Sequence, residues 1–385
     1  MLKDERITDN VITAWWRLRQ LKGVGNIAAN ALLDKLLSRY GSVEALLDLS
    51  ADDLIALGLN PKAACQWSFP SSNSQTSNNQ NSTHSESADV KQIRQWRQTS
   101  GQGILLHGGE LFPEALSSLR DAPSLLWYRG DLDALAAPML AVVGSRATTP
   151  AVLDWTYECC ALLAKAGITI VSGLALGADA AAHSGALQGG RTIAVMGTGV
   201  DRIYPSKHQA LAREITKQGL LISEFAPGTE PQASHFPSRN RIISGLCSAT
   251  LIVEATIQSG TMITARLAAQ QGRDVFALPG AVHNPLARGP HQLIREGALL
   301  VETADDILHA MNLGFGAGTE QHLPLTSSTP EKIPTLVTCV DFVPTAIDVI
   351  AIRSGLHSAE LGPELLQLEL DGWLRRDLGG YVRLK

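Results

Sequence analysis

Short apolar runs alternate with helical segments through the middle of this chain, and this rhythm limits its fold more than any other feature. Seven runs of four or five residues lie at 139–143, 168–172, 192–196, 220–223, 250–254, 274–278 and 298–301. Strands that are apolar on both faces and separated by helices are typical of parallel sheets with crossover connections. The pattern predicts an α/β protein with an extended Rossmann-like domain over residues 90–310.

The flanking segments predict two smaller domains. Residues 1–69 have apolar positions at helical spacing, and Ser50–Asp53 predicts a capping box. We expect an N-terminal all-α domain of the helix-hairpin-helix/SAM-like kind. Gly23 and Gly25 separate two of its helices, either as a hairpin that approaches a DNA phosphate or as an ordinary turn packed on the core. Residues 341–385 combine short helices with a hairpin, which predicts a winged-helix domain.

Two polar segments, 70–89 and 311–340, are predicted linkers because they lack apolar residues at regular spacing. In the winged helix, Thr345–Asp348 predicts a second capping box. Residues 355–372 carry four carboxylates and no lysine or arginine, so a helix there would be repelled by DNA phosphates. We expect this domain to contact protein or to serve in autoregulation. The alternative is a basic wing formed by Arg375, Arg376 and Arg383.

Composition narrows the class of protein. A chain of 385 residues exceeds one hydrophobic core, and a net charge of -5 requires any nucleic-acid site to be a local basic patch. No run approaches the roughly eighteen uncharged apolar residues of a membrane span, and the first residues lack a signal-peptide pattern. The five cysteines form no CxxC motif, which argues against a disulfide framework or a zinc site. We therefore predict a cytoplasmic protein without membrane association.

The loops after the predicted strands are candidate anion-binding segments, because parallel sheets bind ligands beyond the carboxyl ends of their strands. After the first strand, Thr149 suits a helix N-cap and Pro150 the first helical position. Cations and small residues at the ends of the first three strands are candidates for phosphate contact: Ser145, Arg146, Gly173, Arg202 and Lys207.

Nucleotide cofactors are disfavoured, because the chain has neither the GxGxxG fingerprint nor the Gly-Lys-Ser of a P-loop at these positions. We predict no cofactor. Asp179 and His183, four residues apart on a helix, could form an acid–base pair, but an ordinary contact along one helix face is the favoured interpretation. Gly260 and Thr261 could offer amides to a phosphate or simply begin a helix.

One basic segment beside an aromatic residue is the most suggestive of function: Phe236, Arg239, Asn240 and Arg241. No aspartate or glutamate occurs from Pro231 to Val253 to neutralise it. Single-strand binders combine phosphate-pairing cations with rings on which bases stack. In the alternative interpretation, the arginines pair with Glu224 or Glu254 and the phenylalanine fills a gap in the core.

Taken in order, these motifs resemble the DprA/Smf family of DNA processing proteins. The matching segments are 144–146, 172–177, 192–199, 236–245 and 279–280. The resemblance is strong over about residues 100–310 and looser in the flanking domains. It implies a Rossmann domain that binds single-stranded DNA in a basic pocket, forms a homodimer and helps to load the RecA recombinase in natural transformation. Single-strand-binding protein is a further candidate partner, and no catalytic activity is implied.

The resemblance also assigns roles to residues. Arg146, Arg239 and Arg241 would hold phosphates, Phe236 would stack on a base, and Lys207 would add a further phosphate contact. Two features depart from the family pattern: Ala178 replaces a larger apolar residue, and the insertion at 70–88 has no counterpart.

Two other functions remain open. The first is a Rossmann enzyme similar to the nucleoside monophosphate phosphoribohydrolases, although residues 257–264 lack the glycine pair and the carboxylate of that motif. The second is an adaptor that recruits partners through the acidic C-terminal domain.

Overall fold

The computed structural model describes residues 8–41, 43–67, 88–312 and 334–384. The chain divides into two compact units, Met1–Gly314 and Phe315–Lys385. Most of the two predicted linkers, 70–89 and 311–340, lies outside the described residues.

The described part of the first unit contains one nine-stranded sheet. Its strands are β1 (Gln102–Leu106), β2 (Leu125–Gly130), β3 (Met139–Val143), β4 (Thr169–Ser172), β5 (Thr192–Val195), β6 (Leu220–Ser223), β7 (Ala249–Ile252), β8 (Asp274–Ala277) and β9 (Leu299–Leu300). The spatial order is β1-β2-β6-β5-β4-β3-β7-β8-β9. Strands β3 to β9 are parallel and confirm the seven predicted runs within two residues at each end. Strands β1 and β2, which we did not predict, add an antiparallel edge.

The strand order creates a crevice in the middle of the sheet. From β3 the chain builds β4, β5 and β6 to one side, and then returns to build β7, β8 and β9 on the other side of β3. The loops after β3 and β7 therefore diverge, and open α/β sheets bind ligands at such a switch point.

The N-terminal segment is helical, as predicted, but it belongs to the first unit. Its helices are α1 (Asp9–Gln20), α2 (Asn26–Tyr40), α3 (Ala51–Ala56), α4 (Pro61–Ala64) and α5 (Ala88–Gln98). Trp15 donates its indole N–H to the carbonyl of Ser124 at 3.2 Å. Trp16 and Trp96 meet the ring of Trp127 in β2 edge-on, at centroid distances of 5.8 and 6.2 Å. One hydrophobic cluster thus joins the helices to the sheet.

The turn between α1 and α2 packs against this core. Val24 is buried, Gly23 has a φ of +89°, and Arg19 donates a guanidinium hydrogen bond to the carbonyl of Val24 at 2.7 Å. The turn therefore packs on the core through Val24, while Gly23 and Gly25 are exposed, so DNA contact at this turn stays a prediction. The predicted capping box of Ser50 and Asp53 is confirmed at the start of α3.

Helices cover both faces of the sheet. They are α6 (Glu114–Ser117), α7 (Pro150–Lys165), α8 (Ala178–Ala186), α9 (Gln209–Gln218), α10 (His235–Leu246), α11 (Gly260–Gln270), α12 (Arg288–Arg295) and α13 (Ala304–Ala310). Side chains alternate between the faces of a strand. In β3, Leu140 and Val142 pack with α7, α8 and α13, whereas Ala141 and Val143 pack with α10, α11 and α12.

The second unit is a winged helix. A 3-10 helix (Thr335–Cys339) precedes α14 (Ile347–Ser354), α15 (Ser358–Leu370) and the hairpin of β10 (Leu374–Asp377) and β11 (Gly380–Arg383). The 3-10 helix contributes to the same core as α14 and α15, although the sequence analysis placed it in a linker. The capping box predicted at Thr345–Asp348 was wrong. Thr345 pairs with Tyr381 and its hydroxyl donates to Val343, so α14 starts after Ala346 without a side-chain cap.

Candidate functional site

A cavity of about 700 Å³ lies at the switch point of the sheet. Its lining includes Ser145, Arg146, Asp179, Tyr204, Phe236, Arg239, Asn240, Ser259, Gly260 and Thr261. These residues come from the loops after β3 and β5, from the start of α8, from the first two turns of α10 and from the start of α11. Loops after several strands thus line one cavity, and phosphate contact by them stays a prediction.

The loop after β3 presents an exposed cation at the cavity. Thr149 is the N-cap of α7 and Pro150 its first residue, as predicted. The hydroxyl of Ser145 accepts a hydrogen bond from the backbone N–H of Ala147 at 3.0 Å. The loop is therefore folded on itself, and Arg146 lies exposed on it.

An aromatic wall stands beside this cation. The guanidinium of Arg146 lies 6.0 Å from the ring centroid of Phe236, within the range of a cation–π contact. The ring of Tyr204 lies 5.5 Å from that of Phe236 at an angle of 43°. Gly197 makes room for the phenylalanine, since a Cβ there would lie 2.9 Å from the ring. Tyr204 was not predicted from the sequence, although it shares the loop after β5 with the candidates Arg202 and Lys207.

Arg239 forms part of the cavity floor. It is only 5% exposed, and its guanidinium donates to the carbonyls of Gly173, at 2.9 Å, and Val195. Its Nε donates to the side chain of Asn240 at 3.2 Å. Burial lowers the pKa of Arg239 to about 10, and Asp179 opposes this shift. The chain has a glycine at 173 because a Cβ there would lie 2.5 Å from the guanidinium.

Asp179 is the counter-charge in this floor. Its carboxylate accepts hydrogen bonds from the backbone N–H groups of Gly173 and Ala175 at 3.1 and 3.2 Å. Burial raises its pKa, while the charge of Arg239 and these hydrogen bonds lower it. His183 instead bonds Thr192 at 2.7 Å, and burial lowers its pKa to about 3. The hydrogen bonds of the two residues thus go to separate partners, so neither the acid–base pair nor the favoured contact between them along one helix face is present.

Arg241 does not lie with Arg239, which corrects the prediction that both enter one basic pocket. Its guanidinium pairs with Glu224 at 2.5 Å and with Asp121 at 3.3 Å. Residues two apart on a helix are separated by about 200°, so the two arginines leave opposite faces of α10. The pairing with Glu224 is the alternative that the sequence had left open. Glu224 also accepts from Asn26 at the start of α2, which links α10 to the N-terminal helices.

The remaining predicted cations are exposed outside the cavity lining. Arg202 lies 3.9 Å from Asp201 and 3.6 Å from Glu230. Lys207 is exposed in a short 3-10 helix, Ser206–His208. The structure therefore brings together Ser145, Arg146, Phe236, Arg239 and Asn240, with Gly173 in an adjoining recess.

The first turn of α11 completes the cavity wall. Ser259, Gly260 and Thr261 line the cavity, and the hydroxyl of Thr261 donates to the carbonyl of Gly144 at 3.1 Å. The described part of the chain has no cluster of three or more residues suited to hold a metal ion. None of its helices combines the length and apolarity of a membrane span.

A doubly wound sheet with cations and aromatic rings at its switch point, followed in sequence by a winged helix, defines a class of Rossmann-type proteins with a C-terminal winged-helix domain. Residues 103–312 match the family described as DNA recombination-mediator protein A, and residues 322–380 match the DprA winged helix domain. The chain belongs to this DprA/Smf family.

Individual relatives agree with this assignment. The chain is 43% identical to Protein Smf of Escherichia coli (strain K12) over 299 residues, covering 75% of this chain and 79% of that protein. The solved structure of DNA processing protein A from Streptococcus pneumoniae has a TM-score of 0.64 at 34% identity and covers 79% of this chain and 98% of its own. DNA processing protein A from Helicobacter pylori, whose structure is described as revealing a single-stranded DNA binding mode, has a TM-score of 0.51 at 31% identity and covers 56% and 97%.

Proposed function

We propose that this protein binds single-stranded DNA in the switch-point cavity, protects the strand and helps to load RecA onto it during natural transformation. The observation that carries the proposal is the exposed guanidinium of Arg146 beside the rings of Phe236 and Tyr204. A phosphate would pair with the cation while a base stacks on the aromatic wall, a contact that contributes about 1–3 kcal/mol per base. Duplex DNA keeps its bases stacked within the helix, so this wall favours a single strand.

The buried charges of the cavity are not placed for catalysis. A general acid or base has to reach the proton it transfers. Asp179 is already held by two backbone N–H groups and faces the Arg239 charge. We therefore propose that the protein is not an enzyme and needs no cofactor. Incubation with nucleoside monophosphates, with release of free base as the readout, tests the phosphoribohydrolase alternative, and any turnover above background would favour it.

Fluorescence anisotropy of a labelled oligo-dT tests the DNA site directly. Arg146→Ala should weaken binding and make the salt dependence shallower by about 0.7, the slope that one phosphate contact contributes on a single strand. Arg202→Ala is the matched control, because this arginine is exposed outside the cavity. Equal binding of wild type and Arg146→Ala, or equal affinity for duplex DNA, would contradict the proposal.

The proposed partners are RecA, single-strand-binding protein and a second copy of the chain, all in the cytoplasm. Support comes from family membership, because a recombination mediator acts where a recombinase meets coated DNA. RecA filament formation on oligo-dT coated with single-strand-binding protein should accelerate when this protein is added. Light scattering during size exclusion gives the mass that decides between monomer and dimer.

We propose that the winged helix contacts protein rather than DNA. Its helix α15 exposes Glu360 and Glu364 together with the apolar Leu366 and Leu370. Phosphates would be repelled by such a surface. Arg375→Ala/Arg376→Ala should therefore leave oligo-dT affinity unchanged, and a clear loss would instead favour the basic wing.

A further inference from the structure

Glu254 is a buried carboxylate beside the DNA site that the binding chemistry itself does not use. It follows β7 and is 2% exposed. Its Oε2 accepts from the backbone N–H of Thr149 at 2.8 Å, and its Oε1 accepts from the hydroxyl of the same threonine at 2.9 Å. Its backbone carbonyl accepts from the N–H of Ser145 at 2.7 Å. One residue therefore binds both ends of the loop 145–149, which carries Arg146.

The loop after β8 also contacts this carboxylate. Asn284, which follows β8, donates its amide to Oε1 of Glu254 at 2.8 Å. The other end of that amide accepts from the N–H of Leu286 at 2.9 Å and caps a short 3-10 helix. Within the described chain, the hydrogen-bond partners of Glu254 are thus neutral donors from the loops after β3 and β8. Burying a charged group without a cation beside it costs free energy unless hydrogen bonds compensate. The hydrogen bonds of the Glu254 carboxylate therefore hold these two loops in place.

We propose that Glu254 is a positioning residue of the DNA site, which fixes the loop 145–149 so that Arg146 stays 6.0 Å from the ring of Phe236. The inference rests on the proposed binding of single-stranded DNA in this cavity. A cation on a loop that is already ordered loses less conformational entropy when it meets a phosphate than a cation on a loose loop. Glu254 touches no DNA in this account and acts only through Arg146.

Exchanging the hydrogen-bond donor and acceptor between residues 254 and 284 distinguishes a positioning role of Glu254 from a role in folding alone. In Glu254→Gln, the new NH₂ faces either the NH₂ of Asn284 or the backbone N–H of Thr149, so one of these contacts is lost in each orientation. In Asn284→Asp, two carboxylates face each other at the distance of a hydrogen bond. In the double variant, the new glutamine donates to the new aspartate, the threonine hydroxyl turns to accept, and the aspartate still caps the 3-10 helix. Each single change breaks a contact of this network, and the double change restores the network with the negative charge on residue 284 instead of residue 254.

The experiment measures oligo-dT affinity and melting temperature of the full chain for these three variants, each with Arg146 intact and with Arg146→Ala. Each single variant should bind about tenfold more weakly, the effect of losing one preorganised contact. The double variant should regain affinity to within about threefold of wild type. In the Arg146→Ala background, the same three variants should bind oligo-dT as Arg146→Ala alone does, because the residue through which Glu254 acts is absent. A milder change, Thr149→Val, removes only the hydroxyl contact and should give a smaller loss.

The outcomes distinguish this inference from the function on which it rests. If wild type fails to bind oligo-dT, or if Arg146→Ala binds as wild type does, the proposed function falls and the inference with it. If Arg146→Ala weakens binding but Glu254→Gln does not, only the inference falls. Losses that persist in the Arg146→Ala background, or that follow melting temperature without rescue in the double variant, would assign Glu254 to the stability of the fold alone.

Discussion

Replacement of Arg239 by methionine should destabilise the first unit rather than simply weaken DNA binding. The methionine keeps most of the length of the side chain but leaves the carbonyls of Gly173 and Val195 without their donor. It also leaves Asp179 without the opposing charge in a buried floor. The substitution therefore tests whether the most suggestive cation in the sequence serves the ligand or the fold.

The magnitude follows from these contacts. A hydrogen bond to a charged group contributes about 1.5–3 kcal/mol, so two of them give about 3–6 kcal/mol. Removing the positive charge that acts on the buried carboxylate of Asp179 adds to this cost. For large domains, 1 kcal/mol lowers the melting temperature by about 2–4 °C, so Arg239→Met should melt roughly 10 °C below wild type. Arg146→Ala, at an exposed position, should change stability by less than about 0.5 kcal/mol.

Differential scanning calorimetry at neutral pH measures this difference, with anisotropy on the same samples. Arg239→Lys gives an intermediate case, because it keeps a positive charge near Asp179 but has a shorter reach and no second nitrogen. The reasoning would be refuted if Arg239→Met melted within about 2 °C of wild type while losing its affinity for oligo-dT. That result would mean that the guanidinium is free to meet a phosphate instead of holding the strand ends together.

Three further outcomes are expected. Burial lowers the pKa of His183 to about 3 in the folded protein, whereas the unfolded chain takes up this proton at about pH 6.5. The free energy of unfolding, measured in urea, should therefore fall as the pH falls between these values, by about 1.4 kcal/mol for each pH unit. His183→Gln should make this dependence shallower, and parallel curves for variant and wild type would contradict the prediction. Gly173→Ala places a Cβ 2.5 Å from the Arg239 guanidinium, so calorimetry should show a lower melting temperature and anisotropy weaker binding. Arg241→Gln breaks the pair with Glu224 outside the cavity, so it should lower the melting temperature while the salt slope of oligo-dT binding stays that of wild type; a shallower slope would return this residue to the DNA site.

The parallel core could be predicted from the sequence because its strands are buried on both faces, and continuous apolar runs record that environment locally. The edge strands β1 and β2 leave weaker traces, since their burial depends on pairing with β6 and on the N-terminal helices that cover Trp127. A capping box can be predicted from the sequence only where its residues have no other hydrogen-bond partner in the fold. Ser50 caps α3, whereas Thr345 pairs with Tyr381 in the wing.

The part of the site that follows from the sheet topology could be predicted from the sequence. Strand-end loops meet at one sheet edge, so Arg146 and Phe236 could be placed together from the sequence. The separation of Arg239 from Arg241 follows from helix periodicity, but only once the start of α10 at His235 is known. The side-chain hydrogen bonds of Glu254 join it to Thr149, 105 positions away, and to Asn284, 30 positions away, and no local sequence pattern indicates such contacts.

The tryptophan contacts that join the N-terminal helices to β2 have an optical consequence. Trp16, Trp96 and Trp127 meet at one junction, and none of the described residues that line the cavity is a tryptophan. Intrinsic fluorescence from this cluster will therefore respond when the helices separate from the sheet and stay nearly constant when the cavity fills. These tryptophans are therefore an intrinsic probe of the contact between the N-terminal helices and β2, independent of what is bound at the switch point.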